Sequence, residues 1–204
     1  VLNRLRTYDR GALPAEEQLT YDFFEFYLQD ELDRRPFADY DFIATYNFFG
    51  VHSRTQRFFT DIHPMETVQD AEDYISRLDD LDRKFEGVTD QLVRASALGV
   101  IEPRLTMDIA IFLFGEIADA AITDVSYYTA FAAKLADIPG LSDTEREELD
   151  LRAQSTVRFS VIPAYQAVRD QLNRLRGNAP QAIGVGQYPN GAEYYNYTLR
   201  RHTT

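Results

Sequence analysis

The chain contains no cysteine, which removes a disulfide framework, a thiolate metal site and a cysteine nucleophile together, and leaves the redox compartment open. Histidine is scarce: only His52, His63 and His202 occur. None opens the H-E-x-x-H pattern that sets two imidazoles on one helix face. None follows a carboxylate by three residues, as in di-iron bundles. No zinc or di-iron site is therefore encoded locally. His63 precedes Pro64 and His52 lies close to Gly50, so both read as loop or helix-end residues rather than ligands. The longest apolar run, Ile109 to Phe114, falls far short of the roughly 20 residues that span a bilayer. Lysine is limited to Lys84 and Lys134, and 21 basic residues face 33 acidic ones for a net charge of −12. That balance disfavours a phosphate backbone or an anionic lipid surface, so nucleic acid is not an expected partner.

Familiar catalytic signatures are missing too. There is no G-x-S-x-G elbow. Gly184-Val185-Gly186 lacks the third glycine of a dinucleotide loop and the Lys-Ser/Thr of a phosphate loop, and reads as a turn.

What is present is helical. A chain of 204 residues, 45% hydrophobic and 26% charged, can bury a genuine core. Ala71, Ile75, Leu78, Phe85, Val88, Leu92 and Ala95 repeat at three-four spacing, which predicts one amphipathic helix over 67–98. Its other face is acidic, and a solvated surface accounts for the carboxylates between Glu66 and Asp90. Ser142 and Glu145 form a capping-box signature, followed by a stripe of Leu149, Val161, Tyr165, Val168, Leu172 and Leu175. Pro163 predicts a kink or break near 159–163, and Gly177-Asn178 ends the element. Between these segments, Pro103 opens a helix whose apolar residues from Met107 to Ile122 surround its axis, implying burial on most sides. Ser126 is placed to cap another, which stops at Pro139-Gly140. Pro14 opens an earlier helix carrying Leu19, Phe23, Phe26, Tyr27 and Leu32.

From Pro36 to Pro64 the pattern lapses. Phe37, Tyr40, Phe42, Tyr46, Phe48, Phe49, Phe58 and Phe59 are dense but aperiodic, and read as an irregular aromatic segment lying over the helices, either as lids on the core or as a substrate-facing wall. The expected fold is all-α: a multi-helix array with long kinked amphipathic helices and irregular aromatic-rich loops. It reads as a single helical region over 1–204, divided into short helices and the aromatic-rich loop (1–66), a helical core (67–177), and a turn with the start of a further helix (178–204). The opening run from Val1 to Arg6 and the closing run from Arg200 to Thr204 both lie inside patterned segments, so the chain reads as the N-terminal part of a longer two-lobed protein.

The segment from Gly184 to Thr204 gathers Tyr188, Asn190, Tyr194, Tyr195, Tyr197, Arg200 and His202. Pro189-Asn190-Gly191 suits a tight turn directly before a helix, whose free N–H groups are placed to meet a carboxylate. Packing tyrosines and a capping Asn190 explain the same residues without a ligand.

Three motifs in order carry a resemblance. They are Gly99 to Arg104, Ile162-Pro163-Ala164-Tyr165, and Tyr188-Pro189-Asn190-Gly191-Ala192-Glu193-Tyr194-Tyr195 with Leu199-Arg200 and Thr203-Thr204. Together they resemble the bacterial domain-of-unknown-function family 885 from about Leu19 onward. The resemblance implies similarity to helical zinc metallopeptidases with a deep channel between two lobes, in which an H-E-x-x-H helix and a later glutamate hold zinc. That helix would come after Thr204, so no catalytic and no metal residue transfers to this chain. The implied role is a non-catalytic N-terminal portion of a carboxypeptidase or oligopeptidase-like protein, forming one wall of the channel. Tyr188, Asn190, Tyr194, Tyr195, Arg200 and His202 are the residues expected near substrate. Zinc is expected in the parent protein, with the remaining C-terminal part and a short peptide as partners, and an exported or cell-envelope location is favoured over a cytoplasmic one. The alternative is a stand-alone helical scaffold or protein-interaction module without catalysis.

Overall fold

The computed structural model describes residues 1–42, 44–45 and 49–203, and among them it is helical without strands. The helices are α1 (Leu2–Leu5), α2 (Ala15–Arg34), α3 (Val51–Arg57), α4 (Val68–Asp79), α5 (Leu81–Ala97), α6 (Arg104–Ala118), α7 (Ser126–Ala136), α8 (Asp143–Thr156), α9 (Ile162–Arg176) and α10 (Gly191–Thr203). Two compact units emerge from their packing. Unit 1 joins Val1–Asp41 to Gly184–Thr204, and unit 2 is Phe42–Ile183. The segments drawn from the sequence divide at helix limits, 66/67 and 177/178, whereas the packing units divide at 41/42 and 183/184.

Unit 2 holds the large core. α9 packs on α6 and α5, and α8 on α4 and α7. Phe85, Phe114 and Tyr165 meet in the first group, and Phe59, Tyr74, Tyr127 and Phe131 in the second, all fully or almost fully buried. The capping box at Ser142 is present: the Glu145 N–H donates to the Ser142 hydroxyl at 3.3 Å and Glu145 accepts from the Ser142 N–H at 2.9 Å. A second box, Thr67 with Asp70, starts α4. α8 runs through a π turn at Val157–Val161 straight into α9. Pro163 has no N–H for the carbonyl four residues back, and widening one turn before it lets the helix continue instead of breaking. Ser160, buried in that turn, donates to Asp79 at 2.6 Å.

Four expectations are corrected. The helix foreseen over 67–98 is two, α4 and α5, meeting at Asp80, whose ψ of −5° departs from a regular helix. There the side chain of Asp82 accepts the backbone N–H of Arg83 and Asp80 accepts from the Arg83 guanidinium, local bonds that compete with the helix ladder. α6 is buried along one stripe only, Met107, Ala110, Phe114 and Ile117, while Leu105 and Phe112 are 60% and 65% exposed. Ser126 makes no cap bond; its hydroxyl accepts from Gln56 at 2.9 Å, and Val125 occupies the cap position. The stretch from Pro36 to Pro64 is not irregular throughout, since it contains a 3-10 turn at Arg35–Tyr40, α3, and a π turn at Phe58–Ile62. Tyr46 and Phe48 of that stretch lie outside the described residues.

In unit 1, α2 packs with α1 and α10. None of its 20 residues is buried. Leu19, Phe23 and Phe26, at i, i+4 and i+7, are 71%, 68% and 59% exposed. The apolar stripe legible in the sequence is therefore uncovered in this chain.

Candidate functional site

The site anticipated between Tyr188 and His202 is built on a turn in unit 1. The Gly191 N–H donates to the Tyr188 carbonyl at 2.9 Å, and the Tyr194 N–H to the Asn190 carbonyl at 2.9 Å, which starts α10. Asn190 has φ of 53°, a left-handed conformation that asparagine tolerates better than most side chains. Gly191 is required by space. A Cβ there would stand 3.0 Å from the Val185 carbonyl carbon and 3.1 Å from Gly186 Cα, and would overlap the Val185 oxygen.

Aromatic rings hold this turn in place. The Tyr40 hydroxyl donates to the Pro189 carbonyl, and its ring lies 4.8 Å from Tyr194 and 6.0 Å from Tyr188 between centroids. Phe37 lies 5.5 Å from both Tyr194 and Tyr197. Burial, with a smaller contribution from Glu193, pushes the Tyr40 phenol up, so it remains a neutral donor.

Charges tie α10 to α2. Arg201 donates to the Tyr197 hydroxyl at 2.6 Å and lies 3.2 Å from Asp30 and 3.5 Å from Glu31. Arg200 reaches Asp33 at 3.1 Å with its side chain still largely in solvent. Of the six residues singled out from the sequence, Tyr188 is buried and Tyr194 half-buried in the aromatic cluster, while Asn190, Tyr195, Arg200 and His202 are exposed. Phe37, Tyr40 and Arg201 complete the arrangement and were not singled out as site residues. Tyr40 and Pro189 are 149 residues apart, beyond any local spacing, and Arg201 was overshadowed by its neighbour Arg200. An open pocket of about 430 Å³ in the same unit is lined by residues including Leu2, Leu28, Leu32, Arg34 and Arg35, and by none of the six.

Unit 2 contains two titratable groups in unusual surroundings. His63 Nδ1–H donates to the Pro64 carbonyl at 2.6 Å and Nε2 accepts from Arg77, which assigns the neutral tautomer. Burial, followed by Arg77 and Lys134, holds its pKa below the usual histidine value against the opposing Pro64 bond and Asp70. Burial pushes the Glu102 carboxyl up, partly offset by the hydroxyls of Thr106, at 2.6 Å, and Thr45. Among the described residues no group of three His, Cys, Asp or Glu side chains is placed to hold a metal ion, and no helix is long and apolar enough to cross a membrane.

A family profile described as "Bacterial protein of unknown function (DUF885)" matches residues 1–204. No curated protein matches the chain. Among solved structures, the chain is similar to the crystal structure of "the putative lipoprotein from Colwellia psychrerythraea", at 21% identity and a TM-score of 0.73 over 76% of this chain. The chain spans 26% of that relative's length. At this identity the likeness shows the fold alone.

Proposed function

Because the chain belongs to the bacterial protein family of unknown function DUF885, we propose that it is the non-catalytic N-terminal portion of a zinc-dependent, carboxypeptidase-like or oligopeptidase-like protein and forms one wall of a peptide channel. The observation that carries this reading is the uncovered apolar stripe of α2, Leu19, Phe23 and Phe26. These three side chains lie on one face of a 20-residue helix with no buried residue, an apolar row that a further body of protein would cover. The much longer solved relative supports the same view. In this reading zinc is held by the remaining C-terminal part, as the resemblance to helical zinc metallopeptidases implies, and no chemical step runs through this chain. When bound, the ion would activate a water for attack on a peptide carbonyl.

Within the wall, Tyr188 and Tyr194 hold the turn, and Asn190, Tyr195, Arg200 and His202 present the polar groups that meet a short peptide. An exported or envelope location is part of this proposal, favoured by the description of the solved relative.

The test is made on the complete product. Stoichiometric zinc and release of amino acids or dipeptides are expected, with Tyr195→Phe and Arg200→Gln lowering kcat/KM for short peptides. Unchanged cleavage in both variants overturns the site. A product with neither zinc nor cleavage overturns the peptidase reading and leaves an interaction scaffold docking through α2.

A further inference from the structure

Unit 2 carries an open pocket of about 540 Å³ where α3, the π turn after it, the end of α4 and the first turn of α5 come together. Its lining contains four cations, Arg54, Arg77, Arg83 and Lys84, and one carboxylate, Asp80. That ratio runs against the composition, because the whole chain carries a net charge of −12. Phe58, Phe59, Leu81 and Thr55 supply the rest of the surface.

The cations are not equivalent. Arg83 is occupied by Asp80 at 2.9 Å. Arg77 is ion-paired with Asp73 at 3.6 Å and donates to the neutral His63, which fixes its direction. Among the described residues, Arg54 and Lys84 have no carboxylate within ion-pair distance, whereas Arg10, Arg152 and Arg176 each sit on one at 2.5 Å. Thr55 is 4% exposed, and its hydroxyl has no hydrogen-bond partner among the described residues. Buried polar groups are ordinarily paired, so the lining has one unmatched hydroxyl beside two unmatched cations.

We propose that this pocket binds a small organic phosphate, its phosphoryl group met by Arg54 and Lys84 with Arg77 behind them, and its apolar part laid against Phe58 and Leu81. Several cations around one space favour an anion of more than one charge, and the guanidinium fork matches phosphate oxygens in pairs. Size follows from electrostatics. The acidic remainder of the chain repels an extended polyanion, whereas a compact ligand inside the pocket lies within a Debye length of about 8 Å of the cations. This reading is independent of any peptidase activity.

The test is a calorimetric titration of the 204-residue chain with phenyl phosphate, alongside inorganic phosphate, benzoate and phenol. Phenyl phosphate is expected to saturate one site and to bind more tightly than the other three. Arg54→Gln and Lys84→Gln should each weaken it about tenfold, and salt raised from about 0.05 M to about 0.5 M should weaken it further. Both side chains are exposed and unpaired, so the variants should keep the parent circular dichroism and melting curve. Absence of saturable binding, or undiminished binding in the double variant, overturns the site. Equal binding of benzoate overturns the phosphate assignment, and equal binding of inorganic phosphate or of phenol overturns the pairing of anion and apolar group.

Discussion

The hydroxyls of Tyr127 and Tyr165, 38 residues apart in sequence, meet at 2.6 Å inside the core of unit 2. Each is the polar end of a ring otherwise packed among aromatics, Phe59 beside Tyr127 and Phe85 with Phe114 beside Tyr165. A third phenol, Tyr74, donates to the Tyr127 carbonyl at 2.9 Å. The core thus contains a short polar seam, and its energetics depend on every member being paired.

Tyr127→Phe strands the Tyr165 hydroxyl, and Tyr165→Phe strands that of Tyr127. Each single variant should lose about 1–3 kcal/mol, the cost of an unsatisfied buried hydroxyl. The double variant removes both and should be more stable than the sum of the singles implies. Urea unfolding of the four proteins measures the coupling, and strict additivity would show that the bond contributes nothing.

Alkaline pH should unfold unit 2 cooperatively. Burial raises the phenols of Tyr74, Tyr127 and Tyr165 above the ordinary value of 10.0. A folded pKa above the unfolded one gives stability that is complete below pH 10 and is lost as the pH rises beyond it, because only the unfolded chain then ionises. Tyrosinate absorbance should appear in step with loss of helical signal. Titration of these three phenols with the helices intact would contradict the burial argument.

His63 acts on the other side of neutrality. Its folded pKa lies below the ordinary histidine value of 6.5, so the folded state takes up fewer protons, and stability falls as pH drops below about 6.5 toward the folded value. Protonation must also break the bond to Arg77 and set two cations together. The downward slope of stability in that window, ahead of carboxylate titration, should flatten in His63→Gln. An identical slope in the variant would assign the effect elsewhere.

Gly191→Ala should destabilise unit 1 selectively. The added methyl overlaps the Val185 carbonyl, and neither backbone can move without disturbing the turn that seats Tyr188 and Tyr194. A loss of at least about 2 kcal/mol is expected, in the range of severe steric substitutions. Hydrogen exchange in α10 should accelerate while α5, α6 and α9 stay protected. Unaltered exchange in α10 would mean that the turn relaxes freely.

Local rules recovered much of this molecule. The Ser142 box, the starts at Pro14 and Pro103, and the disturbance ahead of Pro163 depend on residues within four positions of one another, and each left a mark in the sequence. Interruptions set by side-chain competition did not: the break at Asp80 interrupts an unbroken apolar period, and Ser126 lost its cap role to a bond with Gln56, 70 residues away. Apolar content predicted burial poorly where covering surface is lacking, as at Phe112 and Phe23. At the candidate site the tyrosines and the turn were legible, whereas the partners supplied by Phe37 and Tyr40 come from the far end of the chain. The cationic pocket was hidden because Arg77, Arg83 and Lys84 are spread among the carboxylates between Glu66 and Asp90, and only the fold brings Arg54 of α3 beside them.

Unit 1 draws on both residues 1–41 and residues 184–204, which has a consequence for biosynthesis. Its tyrosine cluster cannot assemble until Tyr188 to Tyr197 have left the ribosome, by which time every helix of the intervening 142-residue unit has already been made. α2 must therefore wait for α10, with Asp30, Glu31 and Asp33 lacking Arg200 and Arg201, for the whole of that interval.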